Sequence, residues 1–264
     1  MWAKVEGFLD TTSIDVGGSA VLKVSTRAKT WSAPWAPSLT INADVTWPPG
    51  QYLLKLESDD GGETFVPLVI RDDKSTSDLL MQSAVTTWQS YNGWGGASLY
   101  TGTNGRADVV SFDRPYTGNG SGEFLGRERE FITFVERAGY DVSYWTNIDL
   151  HLRGELAKNH RAIIIPGHDE YYTVEMRKNL EAARDAGVNI GFFGANNVYR
   201  RIRLEDSPTG EARLEVNYSD ATRDPPTGKT MSASPPPSAK ALRQTPRALS
   251  RVPITNATPS KPIG

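Results

Sequence analysis

One short run of the sequence concentrates side chains that can do chemistry: HDEYY, residues 168–172. It follows an apolar strand-like run, 162–165, and precedes a helical pattern. The chain has three histidines, and one of them lies here beside two carboxyl groups and two phenols. Such groups can bind a hard metal ion or transfer protons, so this turn is the first candidate for a functional site.

Three other polar stretches have a related position in the sequence. WQSYNGWGG (88–96) and GANN (194–197) follow strand-like runs, and SFDRPY (111–116) precedes a helical pattern. In an open parallel sheet, ligands bind outside the carboxyl ends of the strands. If their strands are neighbours, these stretches and the turn at 168–172 share one rim.

The residue types exclude several familiar hydrolase sites. The sequence has no cysteine, which rules out a thiolate nucleophile, a thiolate metal site and a disulfide framework. It also lacks a Gly-x-Ser-x-Gly elbow, the paired histidines of a zincin helix and the lysine of a phosphate-binding loop. The remaining phenols and carboxylates suit ferric iron or another hard cation better than copper or zinc. This oxygen-rich set comprises Tyr91, Tyr116, Asp169, Glu170 and Tyr171, with His168 beside it.

Periodicity divides the chain into three segments. Residues 1–73 alternate like short strands between turn residues, which predicts a small, Ig-like β-sandwich module. Residues 78–207 alternate strand and helix patterns, which predicts a mostly parallel, doubly wound α/β domain of flavodoxin-like or class I glutamine amidotransferase-like type. Residues 208–264 lose periodicity, and nine of the 17 prolines lie after residue 224, so we predict a disordered tail.

Within 78–207, individual elements follow from the pattern, with Thr173 as the N-cap of one helix and a further helix beginning near Asn197. The predicted strands lie within 78–88, 140–146, 162–167 and 189–194, and the predicted helices over 123–139, 152–158 and 174–187. In the helix over 123–139, Phe124, Phe131, Phe134 and Val135 are predicted to share one apolar face.

The charge is unevenly distributed along the chain. All 31 acidic residues precede residue 225, whereas 225–264 carry six Lys or Arg and no acid. These six charges are dispersed and have no aromatic residues between them, so we do not expect nucleic-acid binding. No signal-peptide pattern opens the chain, and no run of about 18 apolar residues occurs. We therefore expect a cytoplasmic protein that does not cross a membrane.

The same motifs resemble those of a known family, the C-terminal domain of the large (β) subunit of N,N-dimethylformamidase and its relatives. The similar stretches are TTWQSYNGWGGASLY (86–100), SFDRPY (111–116), GHDEYYTVEMRKNLEAARDAGVNIGFFGANNVYRRIR (167–203) and, more loosely, RAGYDVSYWTNIDLH (137–151). They occur in the family's order and cover about 78–205. The resemblance implies an amidotransferase-like α/β fold with a mononuclear ferric ion, Fe(3+), held by two tyrosines and one glutamate.

Carried over to this chain, the resemblance implies Glu170 of GHDEY as the carboxylate ligand. It implies Tyr91 of SYN and Tyr116 of RPY as the two phenolate ligands, with Tyr100 and Tyr171 as alternatives. It also implies a partner, because enzymes of this type work with a small subunit. A small subunit or a homo-oligomer is therefore expected, besides a small-molecule amide substrate.

The implied reaction is hydrolysis of an N-substituted formamide to formate and an amine. The metal polarises the amide oxygen, a base activates water, His168 assists beside the metal, and Asn196 orients substrate or water. The family domain continues past GAN to a further acidic residue, whereas the last acid here is Asp224. We therefore expect a truncated domain. The alternative is a non-catalytic remnant or a two-domain ligand-binding protein. Trp88 and Trp94 would suit carbohydrate stacking if exposed, and core packing explains them equally well.

Overall fold

The computed structural model describes residues 5–25, 35–218 and 221–224. The N-terminal part is built from β1 (Glu6–Leu9), β2 (Ser13–Asp15), β3 (Ser19–Ser25), β4 (Leu39–Asn42), β5 (Gly50–Glu57) and β6 (Glu63–Arg71). These strands form two sheets, in the orders β1-β3-β4 and β2-β6-β5. Leu22 from the first sheet and Leu68 from the second pack in one apolar core. Two small sheets around one core agree with the predicted β module, and its Ig-like topology stays a prediction.

The second part alternates strands and helices, as its sequence pattern predicts. Its elements are β7 (Leu79–Ser83), α1 (Val85–Tyr91), β8 (Val109–Ser111), α2 (Gly122–Arg127), α3 (Arg129–Arg137), β9 (Val142–Thr146), α4 (Asn147–Arg153), β10 (Ala162–Ile165), β11 (Tyr171–Tyr172), α5 (Val174–Asp185), β12 (Asn189–Phe192), β13 (Arg200–Arg201), β14 (Arg203–Ser207) and β15 (Gly210–Val216). As predicted, the side chain of Thr173 caps α5, because its Oγ1 accepts a hydrogen bond from the Met176 amide at 3.0 Å.

A four-stranded parallel sheet forms the centre of this part, in the order β12-β10-β7-β9. Side chains of β10 alternate between its faces: Ile163 and Ile165 pack with Leu180 of α5, whereas Ile164 packs with Val135 of α3. Apolar residues on both faces are what a sheet covered by helices on both sides requires. The predicted α/β class with parallel strands is confirmed, while the flavodoxin-like and amidotransferase-like assignments stay predictions.

Three helix predictions need correction. The helix over 123–139 is kinked at Glu128 into α2 and α3, and Phe134, predicted on its apolar face, is 61% exposed. No helix begins near Asn197; the described chain there forms a turn and then β13. The helix expected over 152–158 is the end of α4 followed by a 3-10 turn, Gly154–Asn159.

The predicted start of the disordered tail, residue 208, is too early in the sequence. Residues 210–216 form β15, which pairs antiparallel with β14 and with β8. Ala212 and Val216 of β15 are buried, so the ordered α/β part extends beyond the predicted boundary at 207. Residues 225–264 of that tail lie outside the described residues. Among the helices of the described ranges, none has the length and apolar character needed to cross a membrane.

Candidate functional site

The polar stretches at 88–96, 167–172 and 194–197 lie at one edge of the parallel sheet, because β7, β10 and β12 occupy neighbouring positions. Two motif glycines make this closeness possible. A Cβ atom on Gly194 would lie 2.0 Å from the carbonyl oxygen of Gly167, so a side chain there would clash with backbone. The prediction that these stretches share one rim is confirmed.

The carboxylate of Glu170 lies at the centre of this edge and is only 3% exposed. The hydroxyl of Tyr91 donates a hydrogen bond of 2.6 Å to its Oε2. Nε2 of His168 lies 3.3 Å from the same oxygen, and Nε of Arg200 lies 3.5 Å from Oε1. The structure therefore brings together three of the predicted site residues: Tyr91, His168 and Glu170.

Aromatic rings surround the phenol of Tyr91. Its ring centroid lies 4.9 Å from that of Tyr100, 5.7 Å from that of His168 and 6.0 Å from that of Tyr171. Burial and the hydrogen bond to Glu170 raise the pKa of Tyr91. Burial and the charge of Glu170 raise the pKa of Tyr171 to about 12. Both phenols therefore stay protonated at neutral pH unless a cation binds beside them.

Tyr116 lies beside this cluster. None of the hydrogen bonds within the described residues joins it to Glu170. Its ring packs edge-on against Trp88, with centroids 6.3 Å apart, and it lines a cavity that Tyr91 also lines. Burial raises the pKa of the Tyr116 phenol. Its metal-binding role stays a prediction.

Asn196 is exposed and adopts a left-handed backbone conformation, with φ of 55°. The neighbouring Asn197 makes the contacts instead: its Oδ1 accepts a 3.4 Å hydrogen bond from the Asp169 amide, and its Nδ2 donates to the Gly194 carbonyl. The structure therefore does not bring the Asn196 side chain into the cluster around Glu170, and its catalytic role stays a prediction.

Asp169 supports the turn from inside the domain. Its fully buried carboxylate accepts hydrogen bonds from Gln82 Nε2 at 2.8 Å, Asn147 Nδ2 at 2.9 Å and Tyr172 Oη at 2.7 Å. Burial raises its pKa to about 6. Because neutral donors from three elements occupy this carboxylate, it anchors the chain beside Glu170. The sequence indicates this role only through Gln82, a polar residue within an apolar strand.

The backbone of Glu170 is also fixed on both sides. Its amide donates to Oγ1 of Thr87 in α1 at 2.8 Å, and its carbonyl accepts from the amides of Tyr199 and Arg200. The parallel pairing of β11 with β13 places Tyr171 opposite Arg200 and so brings the guanidinium of Arg200 to the Glu170 carboxylate. The carboxylate is thus presented by a rigid turn.

The charged residues of SFDRPY connect loops. Asp113 accepts a 2.9 Å hydrogen bond from Nε of Arg213 in β15. The guanidinium of Arg114 donates to the end of α1 and to the loop that follows it, at the side chain or backbone oxygens of Gln89, Asn92, Trp94 and Ala97. The stretch therefore holds the loop of 92–97 in place. Its two charged side chains, Asp113 and Arg114, are already hydrogen-bonded to other residues.

Glu128 and Glu215 are among the buried carboxyl groups that sequence reasoning missed. Glu128 accepts hydrogen bonds from Ser83 Oγ at 2.7 Å and the Ala84 amide at 3.0 Å, and burial raises its pKa to about 8. Glu215 accepts from Ser90, and burial raises its pKa well above the ordinary value. Among the described acids after Asn196, Glu215 is the only fully buried one.

The two tryptophans that would suit carbohydrate stacking if exposed are buried. Trp88 is 2% exposed and Trp94 is 5% exposed, and Nε1 of Trp94 donates to Oε1 of Glu6 at 3.1 Å. Core packing, the other explanation, is what the structure shows: Trp88 packs in the α/β core, and Trp94 packs edge-on against Trp35 of the N-terminal part.

The donors around Glu170 fit a hard cation. No trio of His, Asp or Glu side chains among the described residues is arranged to bind a metal ion, so a metal here would need phenol oxygens. Tyr91 Oη and His168 Nε2 both approach Oε2 of Glu170, and His168 Nε2 is buried without a hydrogen-bond partner in the described chain. Phenol and carboxylate oxygens with one imidazole are a donor set that ferric iron accepts.

A family model described as "N,N-dimethylformamidase beta subunit-like, C-terminal" matches residues 3–252. The match includes the N-terminal β part as well as the α/β part with its polar edge. No curated protein matches the chain.

Proposed function

The chain belongs to the N,N-dimethylformamidase beta subunit-like family, and we propose that its α/β part is an amidohydrolase domain acting on a non-peptide C–N bond. The proposed substrate is an N-substituted formamide or a related small amide. The proposed cofactor is one ferric ion. The observation that carries the proposal is the contact of Tyr91 and His168 with one oxygen of the buried Glu170 carboxylate.

Glu170 and Tyr91 would bind the metal, and the resemblance assigns Tyr116 as the second phenolate. When bound, ferric iron would act as a Lewis acid toward the amide carbonyl. The rigid turn would fix the direction of the Glu170 carboxylate, since its backbone is hydrogen-bonded on both sides. Raised phenol pKa values make Tyr91 a ligand that ionises on metal binding, with release of a proton.

Hydrolysis adds water to the carbonyl carbon and breaks the C–N bond, which gives formate and an amine. His168 is the residue we propose to carry the proton, because its Nε2 lies 3.3 Å from Glu170 Oε2 and makes no hydrogen bond within the described residues. It would take a proton from the attacking water and deliver it to the departing nitrogen. Asn196, exposed at the same edge, is proposed to orient substrate or water when the site is filled.

Iron content and the visible spectrum of protein purified without chelator test the proposal. We expect near-stoichiometric iron and a tyrosinate-to-iron charge-transfer band. Tyr91→Phe and Glu170→Gln should each lose most of the metal without unfolding, because each removes an anionic ligand.

Two variants serve as matched controls for that experiment. Tyr140→Phe alters an exposed phenol, and Glu181→Gln alters a carboxylate that pairs with Arg177 on α5. Both should keep the iron. Folded wild-type protein without iron, or unchanged iron in both site variants, would refute the metal site and leave a non-catalytic remnant as the better description.

A further inference from the structure

A cavity of about 140 Å³ lies between α1 and the start of α2. Four aromatic side chains contribute to its walls: Trp88, Tyr91, Tyr116 and Phe124. An engineered protein cavity of about 150 Å³ binds benzene, so the space fits a compact ligand of roughly that size. Tyr91 and Tyr116 belong to the proposed metal site, whereas Trp88 and Phe124 have no role in it, so the proposed hydrolase chemistry accounts for only part of this lining.

The aromatic walls favour a cation. Trp88 and Tyr116 both line the cavity, and their rings are in edge-to-face contact with 74° between their planes. The faces of aromatic rings carry partial negative charge and attract alkylated ammonium groups. Among the described residues that line the cavity there is no Lys, Arg or His. An anion would therefore find no positive side chain on its walls.

The charged group on the wall has the matching sign. Among the described residues that line the cavity, Glu123 at the start of α2 is the only charged one. Its Oε2 accepts a hydrogen bond of 2.6 Å from Arg127, so an occupant would share this carboxylate with one guanidinium. The amide of Asn92, also on the wall, already donates to Gln89 Oε1 and to the Pro115 carbonyl. The wall thus offers a carboxylate oxygen and aromatic rings.

We propose that this cavity binds a small alkylammonium ion, with its alkyl groups against the rings and its charge toward Glu123. Alkylamines are protonated at neutral pH, as the lysine side chain is. The amine released by C–N cleavage would then be one occupant, and this identification alone rests on the proposed hydrolase function. Tyr91 lines the cavity with its ring and donates its hydroxyl to Glu170, so the occupant would lie one ring away from that carboxylate.

Titration of the full-length protein with tetramethylammonium and with tert-butanol tests the proposal. The two ligands are matched in size, and only the first is charged. Binding can be followed by ligand-observed NMR or calorimetry. We expect tetramethylammonium to bind saturably and about tenfold more tightly than tert-butanol, as a cation–π site requires.

Variants locate the binding. Glu123→Gln removes the carboxylate and Phe124→Leu removes one ring; each should weaken tetramethylammonium binding by about threefold or more. Glu130→Gln and Phe134→Leu, two exposed positions on α3 outside the cavity, are the matched controls and should bind as the wild type does. Circular dichroism confirms that each variant is folded.

Equal affinity for the two ligands, or unchanged affinity in both Glu123→Gln and Phe124→Leu, would overturn the proposal. Iron analysis of the same samples separates it from the hydrolase proposal. If the protein holds iron but does not bind tetramethylammonium, only the cavity assignment is refuted. Protein that binds tetramethylammonium at Glu123 and Phe124 but holds no iron supports the cavity and refutes the metal site.

Discussion

At the scale of single residues, the candidate site depends on how one buried carboxylate is surrounded. Glu170 receives a phenol and an imidazole at one oxygen and a guanidinium at the other. Asp169 next to it faces the opposite way, into neutral donors of the domain interior. Adjacent carboxylates thus have different tasks: Asp169 fixes the turn, and Glu170 is presented to a ligand.

The identity of the second phenolate is a prediction at this scale. Tyr116→Phe should lose iron and the charge-transfer band, because the resemblance makes Tyr116 the second phenolate and its side chain lines the same cavity as Tyr91. Tyr100→Phe and Tyr171→Phe should retain both. Metal analysis with spectra of the three variants decides the assignment. Loss of iron in Tyr171→Phe would instead identify Tyr171 as the second phenolate ligand. The charge of Glu170 already raises the pKa of this phenol.

The sequence could predict part of this site because its donors lie in compact motifs. His168 and Glu170 are two residues apart, and Tyr91 follows a strand that neighbours theirs. The buried carboxyls of Glu128 and Glu215 could not be predicted in this way. Their partners, Ser83 and Ser90, lie far from them in sequence, and an isolated Glu in a helical or strand pattern suggests a solvent-facing position.

At the scale of elements, Glu128 accounts for the kink between α2 and α3. Backbone hydrogen bonds continue through the kink, from the Glu128 amide to Phe124 and from the Ile132 amide to Glu128. The Glu128 carboxyl meanwhile reaches inward to Ser83 and to the amide that precedes α1. The periodicity of 123–139 predicts one helix because a pattern cannot show that a Glu on it points into the core.

The buried carboxyl of Glu128 predicts a pH dependence of stability. Burial raises its pKa from 4.5 to about 8, and the charges of Asp169 and Glu123 act in the same direction. A raised carboxyl pKa gives a contribution to stability that is complete below pH 4.5 and is lost as the pH rises through about 8. Glu128→Gln imitates the protonated form, so it should be more stable than the wild type at high pH by an amount on the order of a few kcal/mol.

Urea unfolding at about pH 5 and about pH 9 measures this effect. The exposed Glu130→Gln on α3 is the control and should follow the wild type at both values. An equal loss of stability for Glu128→Gln at both pH values would contradict the prediction. It would mean that the hydrogen bonds to the ionised carboxylate outweigh its burial.

The hairpin of β14 and β15 shows why the end of the α/β part was predicted too early. Ala212, Leu214 and Val216 alternate as strand residues do, but the residues between them are Arg213 and Glu215. In an isolated sequence these charges suggest a solvated face. In the fold both are buried, with Arg213 paired to Asp113 and Glu215 bound by Ser90. Their partners are distant in the chain, so the strand lacked a local signal.

At the scale of the whole molecule, the two parts are joined by a buried ionic network around Asp149. This residue of α4 is 1% exposed and accepts hydrogen bonds of 2.8 Å from Ser13 of β2. Nη1 of Arg71, from β6, lies 3.2 Å from its Oδ1, and Arg153 of α4 also contacts it. Asp149 caps its own helix as well, through the amide of Thr146. The carboxylate of Asp149 therefore contacts residues of both the N-terminal sheets and the α/β part.

This network predicts that the two parts unfold together. Asp149→Ala removes one of the two carboxylates that contact buried Arg71, the other being Asp73, and it also removes the helix cap. We therefore expect a loss of about 2–4 kcal/mol in the free energy of unfolding. Asp78→Ala, at an exposed pair with Arg161, should cost no more than about 1 kcal/mol. Urea unfolding followed by tryptophan fluorescence and by circular dichroism measures both. Because the network spans the contact between the parts, the wild type should give one coincident transition, and two separated transitions would show that the β part folds independently of the domain that carries the site.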